Sequence, residues 1–175
     1  MPRKAPTNKP KEKERAALPA AKPAPEVAKL GYFVGKWETK GTILAGPWGA
    51  GGDFSWTEKT EWMNGSFFVI GHWDFQMPAE LGGDGEEIFI MGYDTNRRLY
   101  SFDAFSSQGL HQVSKGMLEG DIWMWTSESV QNGKPVQQRM TMKVLSATSY
   151  ELKFEISSDG AEWMTFMDGK ATKKG

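Results

Sequence analysis

The segment from Asp53 to Met63 alternates between two kinds of side chain, and its apolar set contains a carboxyl group. The even-numbered positions, which form the mainly apolar parity of this strand, are Phe54, Trp56, Glu58, Thr60 and Trp62. Alternate residues of a strand face the same side, so this pattern predicts that Glu58 faces the interior beside the tryptophans. A carboxyl group there must be paired, protonated, or in contact with water or a ligand. Glu58 is therefore a candidate to orient a bound molecule or to act as a general base.

Two further polar residues share an interior parity with apolar neighbours. Gln138 lies among Val136, Met140 and Met142, and Asp103 shares a face with Leu99, Ser101 and Phe105. Such groups either hydrogen-bond to one another near a barrel mouth or orient a ligand in an apolar cavity. The predicted ligand-binding set is Trp56, Glu58, Trp62, Trp73, Asp103 and Gln138, with the tryptophans as aromatic walls.

The histidine and cysteine counts limit the chemistry of metals and nucleophiles. The chain has two histidines, His72 and His111, and no cysteine. These counts exclude a three-histidine metal site, thiol nucleophiles and disulfides. Haem ligation through His72 or His111 stays open on count alone, because one axial histidine suffices. We expect no cofactor and no metal. We assign no catalytic residue, since the sequence contains no nucleophile motif. The acidic stretch 84–87 is interpreted as a solvated turn.

The elements that position these residues are short strands separated by turn signals. The predicted strands are 33–43, 53–63, 66–75, 87–93, 99–105, 110–118, 122–127, 136–144, 150–156 and 163–172, preceded by a short helix over 26–33. Asn64-Gly65 predicts a two-residue hairpin. A flat sheet of ten strands would leave two exposed edges, so we predict a closed, antiparallel, up-and-down barrel of the all-β class.

Two of these strands are apolar on both faces. Strands 66–75 and 122–127 have this property, whereas one face of a small barrel is usually wet. Packing of a helix or loop on the outside, a homodimer interface or a partly apolar lumen would each explain it, and the sequence does not rank them.

Composition divides the 175-residue chain at about residue 25. Residues 1–25 carry seven Lys/Arg and two Glu, which leaves a charge of -6 for the remainder of a chain of net charge -1. This Pro/Ala/Lys-rich segment cannot bury enough apolar surface to order itself, so we predict a disordered basic tail over 1–25 and a barrel domain over 26–175. An acidic domain makes no strong case for nucleic acid, and no apolar run makes one for a membrane. We expect a cytoplasmic protein.

Several runs resemble a known family. The chain opens the barrel with 30-LGYFVGKW-37, continues with 92-GYDTNRRLY-100, and ends with 160-GAEW-163 before Met167 to Lys174. With Lys115-Gly116 before Gly120-Asp121, these runs are similar in order and spacing to the bacterial domain-of-unknown-function family 1579. The Gly35-Lys36-Trp37 opening also resembles the G-x-W of lipocalins and other calycins. The resemblance implies a calycin-like barrel and assigns no catalytic residues.

A barrel of this kind predicts a container for a small molecule. We expect non-covalent binding of an apolar or amphipathic ligand in the lumen, and more readily binding than catalysis. Two alternatives stay open: an isomerase- or hydrolase-type enzyme that uses a carboxylate in the same pocket, and a protein-interaction module whose barrel is filled with side chains.

Overall fold

The computed structural model describes residues 22–131 and 133–175, apart from the side chain of Gln131. The predicted tail lies, over 1–21, outside the described residues. A 3₁₀ helix, Pro25–Tyr32, is followed by ten strands: β1 Gly35–Ile43, β2 Gly52–Trp62, β3 Val69–Gln76, β4 Gly85–Asp94, β5 Leu99–Ser106, β6 His111–Glu119, β7 Ile122–Gln131, β8 Lys134–Ser146, β9 Ser149–Ser157 and β10 Met164–Lys174. A further 3₁₀ turn, Ala79–Leu81, lies between β3 and β4.

The ten strands form one closed antiparallel barrel in which each strand pairs with its neighbours in sequence. The last strand closes the ring by pairing with the first, from Lys36 opposite Lys174 to Ile43 opposite Met167. Closure leaves no free edge strand. The predicted all-β, up-and-down architecture is confirmed. Among the described residues, no helix has the length and apolar character needed to cross a membrane.

The helix Pro25–Tyr32 covers one end of the barrel, which we call the helix end. Its Leu30 is fully buried, and the ring of the following Phe33 lies 5.2 Å from that of Trp123. Tyr32 donates its hydroxyl hydrogen to the carbonyls of Ser146 and Ser149, where β8 turns into β9. These contacts anchor the helix and close this end. The short helix predicted over 26–33 is confirmed.

Glycines on the inward face make room for aromatic rings on the neighbouring strand. Four inward glycines stand opposite rings in register, in the pairs Gly41–Phe54, Gly71–Phe89, Gly85–Phe75 and Gly116–Trp125. A Cβ atom on Gly71 would lie 2.0 Å from the Phe89 ring, and one on Gly116 would lie 2.4 Å from Trp125. The rings therefore lie flat over the glycine backbone, an arrangement that lets a narrow barrel hold many aromatic side chains.

The connection between β2 and β3 differs from the sequence prediction. The Asn64-Gly65 pair does not form a two-residue hairpin, and the third strand begins at Val69 instead of residue 66. The Ser66 N–H donates to the carbonyl of Met63 across a turn in which Gly65 has φ 88°. Positive φ at the third turn position is typical of a type II turn, which splays the strands it joins. Ser66 itself has φ 55°, so the chain needs residues up to Phe68 before pairing resumes.

The outer face of the barrel carries exposed apolar side chains. Those on β4 to β6 include Ile88, Phe105, Val113 and Met117, each more than 40% exposed. The two segments predicted to be apolar on both faces also expose a large side chain each, Phe68 in 66–75 and Ile122 in 122–127, both more than 40% exposed. A homodimer interface stays one of the predicted explanations for this apolar character.

The glycine–ring pairs predict a strong coupling between Gly71 and Phe89. Gly71→Ala should destabilise the barrel by about 1–3 kcal/mol, because the new methyl group displaces the Phe89 ring from a packed interior. The double variant Gly71→Ala/Phe89→Leu should cost less than the sum of the two single changes, measured as free energy of unfolding in urea. Additive costs would show that the ring does not rest on the glycine.

Candidate functional site

The interior differs between the two ends of the barrel. In the half next to the helix end, six inward side chains are at most 5% exposed: Trp37, Val69, Met91, Tyr100, Trp123 and Tyr150. The aromatic rings among them pack against one another: the ring centroids are 5.2 Å apart for Trp37 and Tyr150 and 4.7 Å apart for Tyr100 and Trp123. The inward residues at the rim of this end are part-exposed: Trp62, Tyr93, Leu118, Val144 and Lys173. Below its rim this half is packed with side chains.

The other half lies under the loops 44–51, 77–84, 107–110 and 158–163, and we call this side the loop end. Several side chains here point inward yet keep part of their surface accessible: Trp73, Phe75, Glu87, Gln112, Gln138 and Phe154. The inward surface is therefore accessible in part at the loop end, whose rim we call the mouth of the barrel.

Glu58 lies inside the wall between the two halves, 4% exposed. One carboxylate oxygen accepts the Thr60 hydroxyl at 2.6 Å, and the other accepts the indole N–H of Trp73 at 2.8 Å. Burial raises the pKa of Glu58 to about 7, although the two hydrogen bonds and the charge of Lys173 lower it in part. The carboxyl group is thus held rigidly by partners on β2 and β3, and it titrates near neutral pH.

A second inward carboxyl belongs to Glu87, which was not among the predicted site residues. The Cα register places Glu58 opposite Trp73 and Trp73 opposite Glu87, so the two carboxyl residues flank one tryptophan on three adjacent strands. Their Cα atoms are about 10 Å apart, two strand spacings. Burial raises the pKa of Glu87 to about 7. None of the described residues forms a hydrogen bond or an ion pair with the carboxyl oxygens of Glu87.

The signal for Glu87 was present in the sequence. Glu87 shares its parity with Phe89, Met91 and Tyr93, which all belong to the interior. The stretch 84–87 was interpreted as a solvated turn, but β4 begins at Gly85 and carries Glu87 into the wall. That interpretation is wrong for Glu87, and also for Glu86, which is exposed but belongs to β4; it holds for the exposed Asp84.

The wall opposite the tryptophans carries a chain of hydrogen bonds. Gln112 donates to the Ser114 hydroxyl at 3.1 Å and to the Ser127 hydroxyl at 3.4 Å. Ser127 in turn donates to the amide oxygen of Gln138 at 3.0 Å. The chain joins β6, β7 and β8 and gives this side of the open half a polar lining.

Some buried polar atoms of the interior have no hydrogen-bond partner among the described residues. They are the Oγ1 atom of Thr39, Nε1 of Trp56, Oγ of Ser129 and Oη of Tyr150. The Thr39 and Tyr150 hydroxyls are neighbours, but not in hydrogen-bond geometry; burial raises the pKa of Tyr150 well above its usual range. Buried donors without a partner are uncommon in folded proteins. The Trp56 N–H is therefore available to a bound molecule or a water.

The structure brings together part of the predicted set. Trp56, Glu58 and Trp73 lie side by side, with the two indole rings 5.6 Å apart. Gln138 also faces the lumen, on the polar wall. Trp62 lies at the helix end, half-buried near Gly31, and is separate from the other residues.

Asp103 does not line the lumen, contrary to the prediction from the sequence. On β5 the inward parity is that of Tyr100, Phe102 and Ala104, so Asp103 faces the outside. Its carboxylate lies 3.9 Å from the His111 ring. The prediction was wrong because both parities of β5 contain apolar residues, and alternation alone does not separate them.

Both histidines lie outside the lumen. His72 is exposed on the outer face of β3, and His111 is stacked against Phe105 at 4.4 Å between ring centroids. Neither can ligate a haem held inside the barrel. Across the part of the chain that the structure describes, no three His, Cys, Asp or Glu residues cluster as a metal site would require.

The chain forms a ten-stranded up-and-down barrel with part-exposed inward side chains at the loop end. The chain belongs to the family described as "Protein of unknown function (DUF1579)", whose sequence profile matches residues 22–173. The family predicted from the sequence is confirmed. No curated protein matches the sequence.

A solved structure supports the same fold. The protein described as "Crystal Structure of Rv2717c from M. tuberculosis" is similar with a TM-score of 0.63 at 12% identity, over 87% of this chain and 99% of that one. A designed protein, described as a "De novo design of a fluorescence-activating beta barrel", aligns at a TM-score of 0.45 and 16% identity, over 82% of this chain and 95% of the design. At such identities the likeness to the mycobacterial protein establishes the architecture alone.

The raised pKa of Glu58 predicts a loss of stability as pH rises. Its folded-state pKa of about 7 exceeds the ordinary value of 4.5, so the folded protein binds an extra proton between these limits. The stabilisation is fully present below the lower value and is lost as pH rises through the upper one, by at most about 3 kcal/mol. Glu58→Gln should remove this part of the decline, measured as free energy of unfolding in urea from pH 5 to 8. The matched control is Glu61→Gln on the exposed face of the same strand, and parallel profiles for Glu58→Gln and the wild type would contradict the prediction.

Proposed function

We propose that this protein binds a small amphipathic molecule, without covalent chemistry, in the half of the barrel next to the loop end. The observation that carries the proposal is that this half combines part-exposed inward side chains, aromatic and polar, with a buried Trp56 N–H that has no partner among the described residues. In the helix half, Leu30 and Phe33 pack onto the inward rings instead.

The two sides of the open half favour an amphipathic ligand over a purely apolar one. Phe54, Trp56, Trp73 and Phe75 form a continuous aromatic surface, in which Phe54 and Trp56 are stacked at 5.0 Å. The neighbouring strand β4 contributes Glu87, and the facing strands β6 to β8 contribute the Gln112–Ser127–Gln138 hydrogen-bond chain. Binding pockets typically combine an apolar lining with a few polar groups that fix the orientation of the ligand.

The site is built on strands that already hold their side chains in place. Glu58 fixes Trp73, and Ser127 fixes Gln138, in each case through a hydrogen bond across strands. Little side-chain ordering is left for the binding step, which favours affinity.

A bulky residue in the lumen should abolish binding, while the same residue one position along the strand should not. Gln138 and Gln137 are adjacent on β8, the first facing inward and the second exposed. Gln138→Trp should weaken the binding of the neutral dye Nile red at least about tenfold because it fills the open half. Gln137→Trp should bind the dye as the wild type does, measured by dye fluorescence with both melting temperatures recorded. Equal affinities in two folded variants would place the dye outside the lumen.

Native mass spectrometry of gently purified protein tests the natural ligand directly. We expect an adduct of defined mass that is lost on denaturation and absent from Gln138→Trp. An adduct retained by Gln138→Trp would point to a site elsewhere on the molecule.

A second function is favoured by the pKa values of the two carboxyl groups. Burial raises the pKa of both Glu58 and Glu87 to about 7, which suits a general acid or base at neutral pH. We propose an isomerase- or hydrolase-type reaction on the bound molecule as the alternative to simple binding. Turnover of the compound identified by mass spectrometry, with a bell-shaped pH profile lost in Glu58→Gln or Glu87→Gln, would support it; an unaltered compound would exclude it.

A further inference from the structure

The charged groups inside the barrel are unevenly distributed along its length. On the inward parity of the strands, the described charged side chains are Glu58, Glu87 and Lys173, with Lys134 at the exposed rim. Lys173 lies in the helix half, where its ammonium group is 5.2 Å from the Trp37 ring and donates to the Tyr32 carbonyl. Within the described residues, the open half therefore contains two carboxyl groups and no inward cation below the rim.

Two of the four loops around the mouth carry the same sign of charge, and the other two, 44–51 and 107–110, carry none. Loop 77–84 contributes Glu80 and Asp84, and loop 158–163 contributes Asp159 and Glu162, with no Lys or Arg in either. An acidic rim above an acidic interior concentrates cations and repels anions. Lys134 on β8 is the exception.

We propose that the polar end of the ligand is a cationic nitrogen, held between the Glu87 carboxylate and the Trp73 ring. The inference rests on the proposed function and names the class of ligand for that site: an amine-bearing amphiphile.

The geometry around Trp73 suits a cation. Carboxyl residues stand in register on both sides of this tryptophan, and the rings of Trp56 and Phe89 lie 5.6 and 4.8 Å from its own. Ammonium groups bind to aromatic faces, and more strongly where water is excluded. The Glu58 carboxyl is already used by Thr60 and Trp73, while that of Glu87 has no partner among the described side chains. Glu87 is thus the carboxyl group free to pair with a ligand.

The buried indole of Trp56 is a second, independent indication of a ligand at this place. Its N–H has no hydrogen-bond partner among the described residues although the side chain is 7% exposed. The ring lies against that of Trp73. The Trp56 N–H would donate a hydrogen bond to an acceptor atom of the ligand, such as a hydroxyl or amide oxygen close to the amine.

The described residues around Glu87 offer no alternative charge partner. Its register partners are Trp73 on β3 and Ser106 on β5. The charged groups nearby on these strands, His72, Asp74 and Asp103, belong to the outer face. An anionic head group at this position would meet two carboxylates, whereas an ammonium group would neutralise one of them.

The test compares three amphiphiles that share one alkyl chain and differ in head group. Decylammonium, decanol and decanoate are titrated below their micellar concentrations at pH 8, where the Glu87 carboxyl is ionised since its pKa is about 7. Binding is measured by calorimetry and by displacement of Nile red. We expect decylammonium to bind at least about tenfold more tightly than decanoate, with decanol between them.

Glu87→Gln should weaken decylammonium binding about tenfold and leave decanol binding unchanged, because the amide keeps the shape and loses the charge. Glu86→Gln, on the exposed side of the same strand, should change neither. The inference is overturned, and lumen binding stands, if decanol binds but decylammonium binds no more tightly than decanoate. The same conclusion follows if Glu87→Gln leaves the affinity for decylammonium unchanged. If neither decanol nor Nile red binds, the proposed function itself is overturned.

Discussion

Pairing of the first strand with the last determines the rest of the structure. The eight register pairs from Lys36–Lys174 to Ile43–Met167 close the sheet on itself, so no strand can slide without shifting all the others. A shift by one residue would turn each strand's interior set outward. Closure therefore fixes which parity of every strand faces the lumen, and it places Glu58, Trp73 and Glu87 in one register row.

A closed barrel must also fill or use the space it encloses. Next to the helix end the interior of the barrel is filled, because Leu30 and Phe33 pack in one buried cluster with Trp37, Trp123 and Tyr150. Flat packing of rings on inward glycines allows so many aromatic side chains in a narrow cross-section. At the loop end the helix Pro25–Tyr32 does not cover the opening, and the inward residues include serine, glutamine and glutamate that face aromatic rings. The difference between the ends follows from where the chain enters the barrel.

The sequence predicted the strands well, since alternation and turn residues are local signals. It predicted Glu58 for the same reason, because Phe54, Trp56 and Trp62, of the same parity on β2, are large and apolar. It was wrong about Asp103, where Phe105 outside and Phe102 inside make the two parities look alike. It missed Glu87 because a strand start and a solvated turn have the same composition. The position of Trp62 at the far end depends on strand direction and closure, which no local pattern contains.

The two inward carboxyl groups differ in a way that separates structure from function. Burying a carboxyl group costs free energy, and for Glu58 two hydrogen bonds offset part of that cost whether or not a ligand is present. Glu58 thereby holds Trp73 against Trp56 and Phe89, so its role in the site is to position an aromatic wall. Burial raises the pKa of Glu87 as well, but this carboxyl group keeps part of its surface accessible and has no partner among the described side chains. An accessible carboxyl group without a partner is the one whose interaction a ligand can complete, and for this reason recognition is assigned to Glu87 and rigidity to Glu58.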